Sequence, residues 1–266
     1  MEMSVVPAGL QGEPRRTVPR RNRRVMTAET TTNVGVRRSD EELRALAEEA
    51  APRLAEATAE EALRWAADTF GENLIVASNM QDAVLVDLAA KASPGVDVLF
   101  LETGYHFAET IGTRDAVAQV YDVSIVNAVP EQSVAEQDAG EGPNLFERDP
   151  NRCCFLRKVV PLRNTLARYE AWVTGVRRVE APTRANTPVV TWDDRNGLVK
   201  INPLAAWSDE EMDAYIAEHG VLVNPLVPAG YPSIGCRPCT AKPAPGADPR
   251  SGRWAGNSKT ECGLHG

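Results

Sequence analysis

Cysteine is scarce in this chain of 266 residues: there are five, and none precedes residue 153. An odd number, at spacings unlike a secreted disulfide framework, argues against stapling and for a reducing compartment in which thiols serve a metal or a reaction. Long apolar runs are missing too. Nothing approaches the roughly 20 residues that cross a bilayer, and no apolar core follows the basic N-terminus as a secretory signal would require. Positive charge is in deficit, with 29 Lys and Arg against 37 Asp and Glu and a net charge of −8. That balance argues against a nucleic-acid or membrane-surface protein, while local basic patches remain able to hold an anionic small molecule. A cytoplasmic protein is expected. No internal repeat is visible.

Residues 1–38 are rich in Arg and Thr and lack a hydrophobic period, so they read as a disordered basic extension. They are either a transit peptide or a product of a misassigned start, since Met26 opens "MTAETTT". Order is expected from Ser39, which with Glu42 forms a capping box ahead of a helical apolar pattern. Pro52 should reset that helix, and a second should run to Gly71. "NLIVAS" then reads as a buried strand, followed by a helix from Asp82 to about Ala92. A strand "VDVLFLET", a helix from Phe107 to Tyr121 and a strand "DVSIVNAV" complete a βαβαβ alternation. The pattern predicts an α/β fold, a doubly wound, mainly parallel sheet with ligands at the carboxyl ends of its strands.

Two loops occupy those ends. "SNMQD", residues 78–82, leads into a helix whose N-terminus is a natural anion seat; "ETGYHF", residues 102–107, follows the second strand. Both are equally readable as ordinary turns. A polar loop is expected from Pro130 to Asn151, then a helix bearing Cys153 and Cys154. "AWVTGVRR", "PVVTW" and "LVKINPL" read as further strands, and "SDEEMDAYIAEHG" as a helix with a Ser208–Glu211 capping box and Gly220 as its stop. Domain limits follow: a folded body over 39–240 and a mobile Pro- and Gly-rich tail over 241–266.

Cys153 and Cys154 are neighbours, and a disulfide between adjacent residues closes a strained ring. With Cys236 and Cys239 in "GCRPCT" they supply four soft thiolates, a set suited to zinc or to an iron–sulfur cluster. Structural zinc usually takes pairs separated by two to four residues. Adjacent cysteines on a helix diverge by about 100°, which suits a 4Fe-4S cubane better than a single ion, although zinc and plain buried thiols stay open. Arg157 and Lys158 fall four residues after the pair and should share its faces, where they would offset a cluster's negative charge. Cys262, left over near the end with Lys259 and His265 around it, is either an incidental thiol or a nucleophile. Arg177, Arg178, Arg184, Arg250 and Arg253 add guanidinium forks suited to phosphate and sulfate oxygens.

The stretches "CCFLRKVVPL", "VTGVRR", "PTRAN", "INPLAAW", "GYPSIGCRPCTAKP", "GADPRSGRW" and "KTECGLH", in this order, resemble the assimilatory adenylyl-sulfate (APS) reductases of the cluster-containing type. These belong to the wider adenine-nucleotide α-hydrolase group, whose phosphate loop carries a Ser-Gly-Gly-x-Asp pattern. Here the loop is "SNMQD", which keeps only the ends, Ser78 and Asp82. The resemblance implies that Cys262 attacks the sulfur of adenosine 5'-phosphosulfate, expels AMP and forms a thiosulfonate that thioredoxin or a related dithiol protein resolves to sulfite. It further implies one 4Fe-4S cluster held by Cys153, Cys154, Cys236 and Cys239 in a structural and electrostatic role. Lys158, Arg184, Arg250, Arg253 and His265 would meet the substrate's anionic groups, and Leu101 and Thr103 match nucleotide-contacting positions. A homo-oligomer is compatible with it. The alternatives are a reductase of the 3'-phosphorylated substrate (PAPS), whose dedicated members generally lack both cysteine pairs, a non-catalytic zinc module, and an ATP-dependent ligase or thiolase of the same group.

Overall fold

A computed structural model describes residues 37–254, 259 and 263–264. The expected extension lies outside the described residues except for Arg37 and Arg38, which are bonded into the fold. Arg38 donates to the Glu170 carboxylate from its backbone at 2.6 Å and from Nε and Nη2 at 2.9 and 2.6 Å. Arg37 and Arg38, assigned to the extension by the sequence reading, thus bond to the body.

Helix α1, Asp40–Arg53, opens on the expected Ser39–Glu42 capping box. Pro52 ends it less abruptly than expected, because the ring falls in the last turn and the helix runs one residue past it. The next helix, α2 at Ala59–Phe70, starts well after Pro52, where Thr58 and Glu61 form a capping box of their own. Strand β1, Leu74–Ala77, helix α3, Val84–Ala92, strand β2, Val96–Leu101, helix α4, Ala108–Val120, and strand β3, Val123–Ala128, follow in the expected alternation. The expected polar loop contains two short helices, α5 at Val134–Glu141 and α6 at Leu145–Arg148. Helix α5 buries only Gln137; a helix that covers so little core has no apolar period to read. The cysteine helix comprises α7, Pro150–Cys154, a π-helical turn, Phe155–Val159, and α8, Val160–Leu166. Strands β4, Ala171–Val173, β5, Val190–Asp193, and β6, Leu198–Ile201, precede helix α9, Asp209–His219, which Ser208 caps and left-handed Gly220 stops.

The six strands lie in the order β3-β2-β1-β4-β6-β5, parallel throughout except that β5 runs against β6. This is the expected mainly parallel sheet. The order reverses between β1 and β4, and a crevice opens at such a point beyond the carboxyl ends of the strands. Alternating residues divide the core. Val76, Val98, Val173 and Val199 face the side covered by Leu43, Leu63 and Val84 of α1, α2 and α3. Ile75, Leu99, Trp172 and Leu198 face the other side, where Leu162 and Leu166 of α8 pack.

The Glu170 carboxylate is almost wholly enclosed beside β4, its partner a third exposed. Burial opposes its charge, and the hydrogen bonds and charge of Arg38 outweigh that cost, holding the carboxyl below its ordinary value. Arg38→Ala should thus cost about 2–3 kcal/mol in urea unfolding at pH 7, since it strands a buried charge. A group with a lowered folded-state pKa stabilises above its unfolded value, about 4.3 for Glu, and loses that contribution as pH falls through the folded value. The gap between wild type and variant should accordingly shrink on acidification below pH 4, and a gap constant from pH 7 to 3 would contradict the assignment.

Candidate functional site

Asp149 caps the cysteine helix through the Arg152 N–H at 2.9 Å, and Pro150 occupies the first turn, where no amide donor is needed. Cys153 and Cys154 follow, each 7% exposed. The helix then widens over Phe155–Val159. Pro161 supplies the reason: its ring has no N–H to offer and would collide with the carbonyl four residues back in a regular helix, which a π turn relieves. The widened turn lies between the cysteine pair and Pro161. Lys158 and Arg157 both line the cysteine pocket, but the buried Arg157 guanidinium is committed to the Thr103 carbonyl, the Gln132 carbonyl at 3.3 Å and Gln137 Oε1 at 3.1 Å.

The second cysteine pair arrives on a 3-10 turn, Arg237–Cys239, pinned against the loop after β2. Arg237 N–H donates to the Tyr105 carbonyl at 2.7 Å, and the Thr103 hydroxyl, fully buried, lies 3.3 Å from Cys236 Sγ. The Arg253 guanidinium lies against the bare backbone of Gly235 next to this turn, where a Cβ would fall 2.2 Å from its Nη2 and displace it. The chain from 241 loops out and returns: Ala241 N–H bonds the Gly252 carbonyl at 2.9 Å and Trp254 N–H the Cys239 carbonyl at 3.0 Å. All four cysteines thereby line one small pocket, walled also by Tyr105, Phe146, Pro150, Pro238 and Lys158. None of the four forms a disulfide.

Electrostatics sharpen the picture. Burial, followed by the proximity of the other three sulfurs, pushes the Cys153 thiol up to about 12. Burial and Cys236 push Cys239 up to about 11, against the pull of Lys158 and Arg253. Four thiols that converge, with Cys153 and Cys239 resisting ionisation on their own, suit a cationic guest that takes them all as thiolates. Among the described residues no three His, Cys, Asp or Glu are grouped so as to hold one metal ion; the sulfurs ring a space. Soft donors around a space fit an iron–sulfur cluster in type and number.

Other expected residues lie outside the lining of this pocket. Ser78 and Asp82 bracket the loop after β1. Ser78 Oγ accepts the Met80 N–H at 3.2 Å, and Asp82 Oδ1 accepts the Val84 N–H at 3.1 Å, with burial raising the Asp82 carboxyl above its ordinary value. Met80 is left-handed at φ 59° and fully buried, so a non-glycine residue adopts the turn that glycine makes easily. Leu101 ends β2, its carbonyl 2.7 Å from His106 Nε2. Thr103, as noted, turns its hydroxyl toward Cys236. Arg253 stacks over Trp254 and bonds Ser233 and Ile234. Arg184 pairs with Glu180, and the Arg250 N–H donates to Asp248 at 2.6 Å; neither lines the cysteine pocket. Cys262 and His265 lie outside the described residues. Sequence reading did not single out Tyr105, Phe146 or His106, because ring packing around a pocket leaves no spacing signal.

Residues 72–242 match the phosphoadenosine phosphosulfate reductase domain. The chain is 70% identical over 227 residues to the adenosine 5'-phosphosulfate reductase of Mycolicibacterium smegmatis, covering 85% of this chain and 96% of that one. It is 59% identical to the protein of the same name from Mycobacterium tuberculosis, over 90% and 99% of the two chains. The crystal structure of phosphoadenylyl-sulfate (PAPS) reductase from Candida auris, as a phosphate complex, superposes with a TM-score of 0.63 at 31% identity, covering 73% of this chain and 96% of the other.

The raised thiols make a direct prediction for metal-free protein. At pH 8 iodoacetamide should label Cys153 and Cys239 slowly, and labelling should quicken as pH rises toward 11, because only the thiolate reacts. Peptide mass spectrometry reads each site, and rapid labelling of both at pH 8 would contradict the burial argument.

Proposed function

The chain belongs to the phosphoadenosine phosphosulfate reductase domain family, and on that premise we propose that it is an adenosine 5'-phosphosulfate reductase acting in assimilatory sulfate reduction and cysteine biosynthesis. The observation that carries the reading is the convergence of four thiols and Lys158 on one pocket, in a chain whose curated relatives bear that name. In the first step the Cys262 thiolate attacks the sulfur of adenosine 5'-phosphosulfate. An S–S bond forms, the bond from sulfur to the phosphate oxygen breaks, and AMP leaves with the electron pair. A thiolate of a dithiol redox protein such as thioredoxin then attacks Cys262 Sγ and expels sulfite. Its second thiol resolves the mixed disulfide, so the two electrons come from the dithiol.

The residues of this chain divide the work. Lys158, Arg250, Arg253 and Arg184 are assigned to the negative charge that grows on the phosphate, as fixed cations stabilise a departing anion. His265 and Lys259 favour the Cys262 thiolate. Leu101 and Thr103, at the end of β2, and Ser78 and Asp82, at the end of β1, border the crevice where a nucleotide lies in this fold. Cys153, Cys154, Cys236 and Cys239 would hold a 4Fe-4S cluster, which when bound supplies rigidity and a local charge that Lys158 balances. Thr103 orients Cys236 within that set. Among the described residues no helix is long and apolar enough to cross a membrane.

Anaerobically purified protein should contain about four iron and four sulfide per chain, and one zinc in their place would refute the cluster. Incubated with adenosine 5'-phosphosulfate and no reductant, it should gain a sulfonate on the C-terminal peptide. Cys262→Ser should keep its colour and form neither adduct nor sulfite; sulfite from that variant would remove Cys262 from the mechanism. Lys158→Ala should slow adduct formation by roughly 10²-fold, the scale of losing one charge-stabilising donor. Because the fungal structure is of a PAPS reductase, kcat/KM for both nucleotides decides the substrate, with a preference for the one lacking the 3'-phosphate expected.

A further inference from the structure

The carboxyl end of β4 carries a group of paired charges, of which the reaction proposed above uses only Arg184. Two 3-10 turns follow that strand in close succession, Arg178–Glu180 and Pro182–Arg184. Glu180 closes the first and divides its carboxylate between two guanidinium groups. Oε1 lies 3.5 Å from Nε of Arg177, and Oε2 accepts a hydrogen bond from Nη1 of Arg184. Asp209, the first residue of α9, holds Arg177 on its other side, 2.8 Å from Nη2. The side chains of Arg177, Glu180 and Arg184 are 13, 27 and 12% exposed, so solvent screens them less than an open surface pair. The Arg184 backbone is pinned as well, donating to the Ala181 carbonyl and accepting from the Thr187 N–H, each at 2.9 Å. The charges felt by two neighbours locate the group. Burial raises the Asp82 carboxyl, the Val84 N–H and then the charge of Arg177 pull it down, and Glu180 opposes them. Burial lowers the Lys200 ammonium, Asp193 raises it, and Arg184 lowers it again. Asp82 follows β1, and Lys200 is the penultimate residue of β6. The group thus spans the end of β4, from the crevice side where β1 ends across to β6.

We infer that Glu180 is a positioning residue for the reaction: with one oxygen toward Arg177 and the other on Arg184, it fixes the Arg184 guanidinium at the carboxyl end of β4 for the anionic part of the substrate. The inference rests on the role proposed above for Arg184. Arg184 and Lys200 repel each other, and an arginine without a fixed acceptor has a long side chain free to turn toward water. A carboxylate shared between two planar forks opposes both tendencies. The pairing has two opposed effects on an incoming anion. Glu180 neutralises part of the charge that Arg184 offers, and it sets the direction in which that charge is offered. Direction outweighs the lost charge, because a donor already in place needs no reorganisation when negative charge grows on the phosphate.

The test uses the full chain with its metal site loaded, as wild type, Glu180→Gln, Glu180→Asp, Arg184→Gln and the double variant Glu180→Gln with Arg184→Gln. Modification of Arg184 by phenylglyoxal without substrate, timed by peptide mass, reads the hold on the guanidinium. The second-order rate of single-turnover adduct formation with adenosine 5'-phosphosulfate reads the positioning. Glu180→Gln should speed modification and slow adduct formation, each by about tenfold, with visible absorbance unchanged. Glu180→Asp, which keeps the charge on a shorter arm, should fall between. In the Arg184→Gln background Glu180→Gln should slow the adduct no further, because its effect passes through that guanidinium. Unchanged modification of Arg184, an adduct rate that holds or rises in Glu180→Gln, or an equal loss in both backgrounds overturns the positioning role. Should Glu180→Gln fail to fold, Glu180→Asp decides by the same two readings. Arg184→Gln as fast as wild type refutes the substrate role of Arg184, and a wild type without adduct refutes the reaction; the modification comparison decides the hold in either case.

Discussion

The site depends on a single main-chain hydrogen bond and its neighbour: Arg237 N–H on the Tyr105 carbonyl, beside the Thr103 hydroxyl on Cys236. The two cysteine pairs are separated by roughly 80 residues, a loop whose closure carries an entropic cost that grows slowly with length. Three strands and helix α9 absorb most of that cost, because they fold for reasons of their own. What they cannot set is the rotation of the Cys236–Cys239 turn. Backbone pairing to the loop after β2 sets it, and Arg157 holds that loop from the opposite side through the Thr103 carbonyl. The result is a pocket whose walls come from three distant stretches of sequence yet share hydrogen bonds.

Such a pocket explains a division within the chain's cations. Arg157 is spent on carbonyl and amide oxygens and acts as masonry. Lys158, one residue on, lies near enough to Cys239 to ease its ionisation. Both sit in the π turn, which Pro161 favours by having no N–H to offer. Adjacent residues of like charge thus serve packing and chemistry respectively.

Much of this was legible in the amino-acid order. Ser39 with Glu42 and Ser208 with Glu211 mark helix starts because two reciprocal hydrogen bonds fix both residue types and their spacing. The alternation from Leu74 to Ala128 was readable because buried parallel strands need continuous apolar runs. The same rules could have placed α2 at Thr58, with its own capping box, but Pro52 drew the boundary forward. Helices α5 and α6 escaped because they bury almost nothing of their own. The cysteines declared a soft-donor site by type, while their meeting depended on tertiary hydrogen bonds that no spacing encodes. The contribution of Tyr105 and Phe146 to the walls, and the widening of the helix after Cys154, became visible only in three dimensions.

Met80 carries a broader consequence. At the carboxyl end of β1 the backbone takes a left-handed turn with a thioether sealed beneath it and Asn224 bonded to its carbonyl at 3.0 Å. The contour associated with glycine is thus kept by a residue that owes its tolerance to burial and to outside hydrogen bonds. Recognition rules that demand glycine at such bends would pass over chains of this kind, whereas rules written on dihedral shape and on the polar residues at either end would retain them.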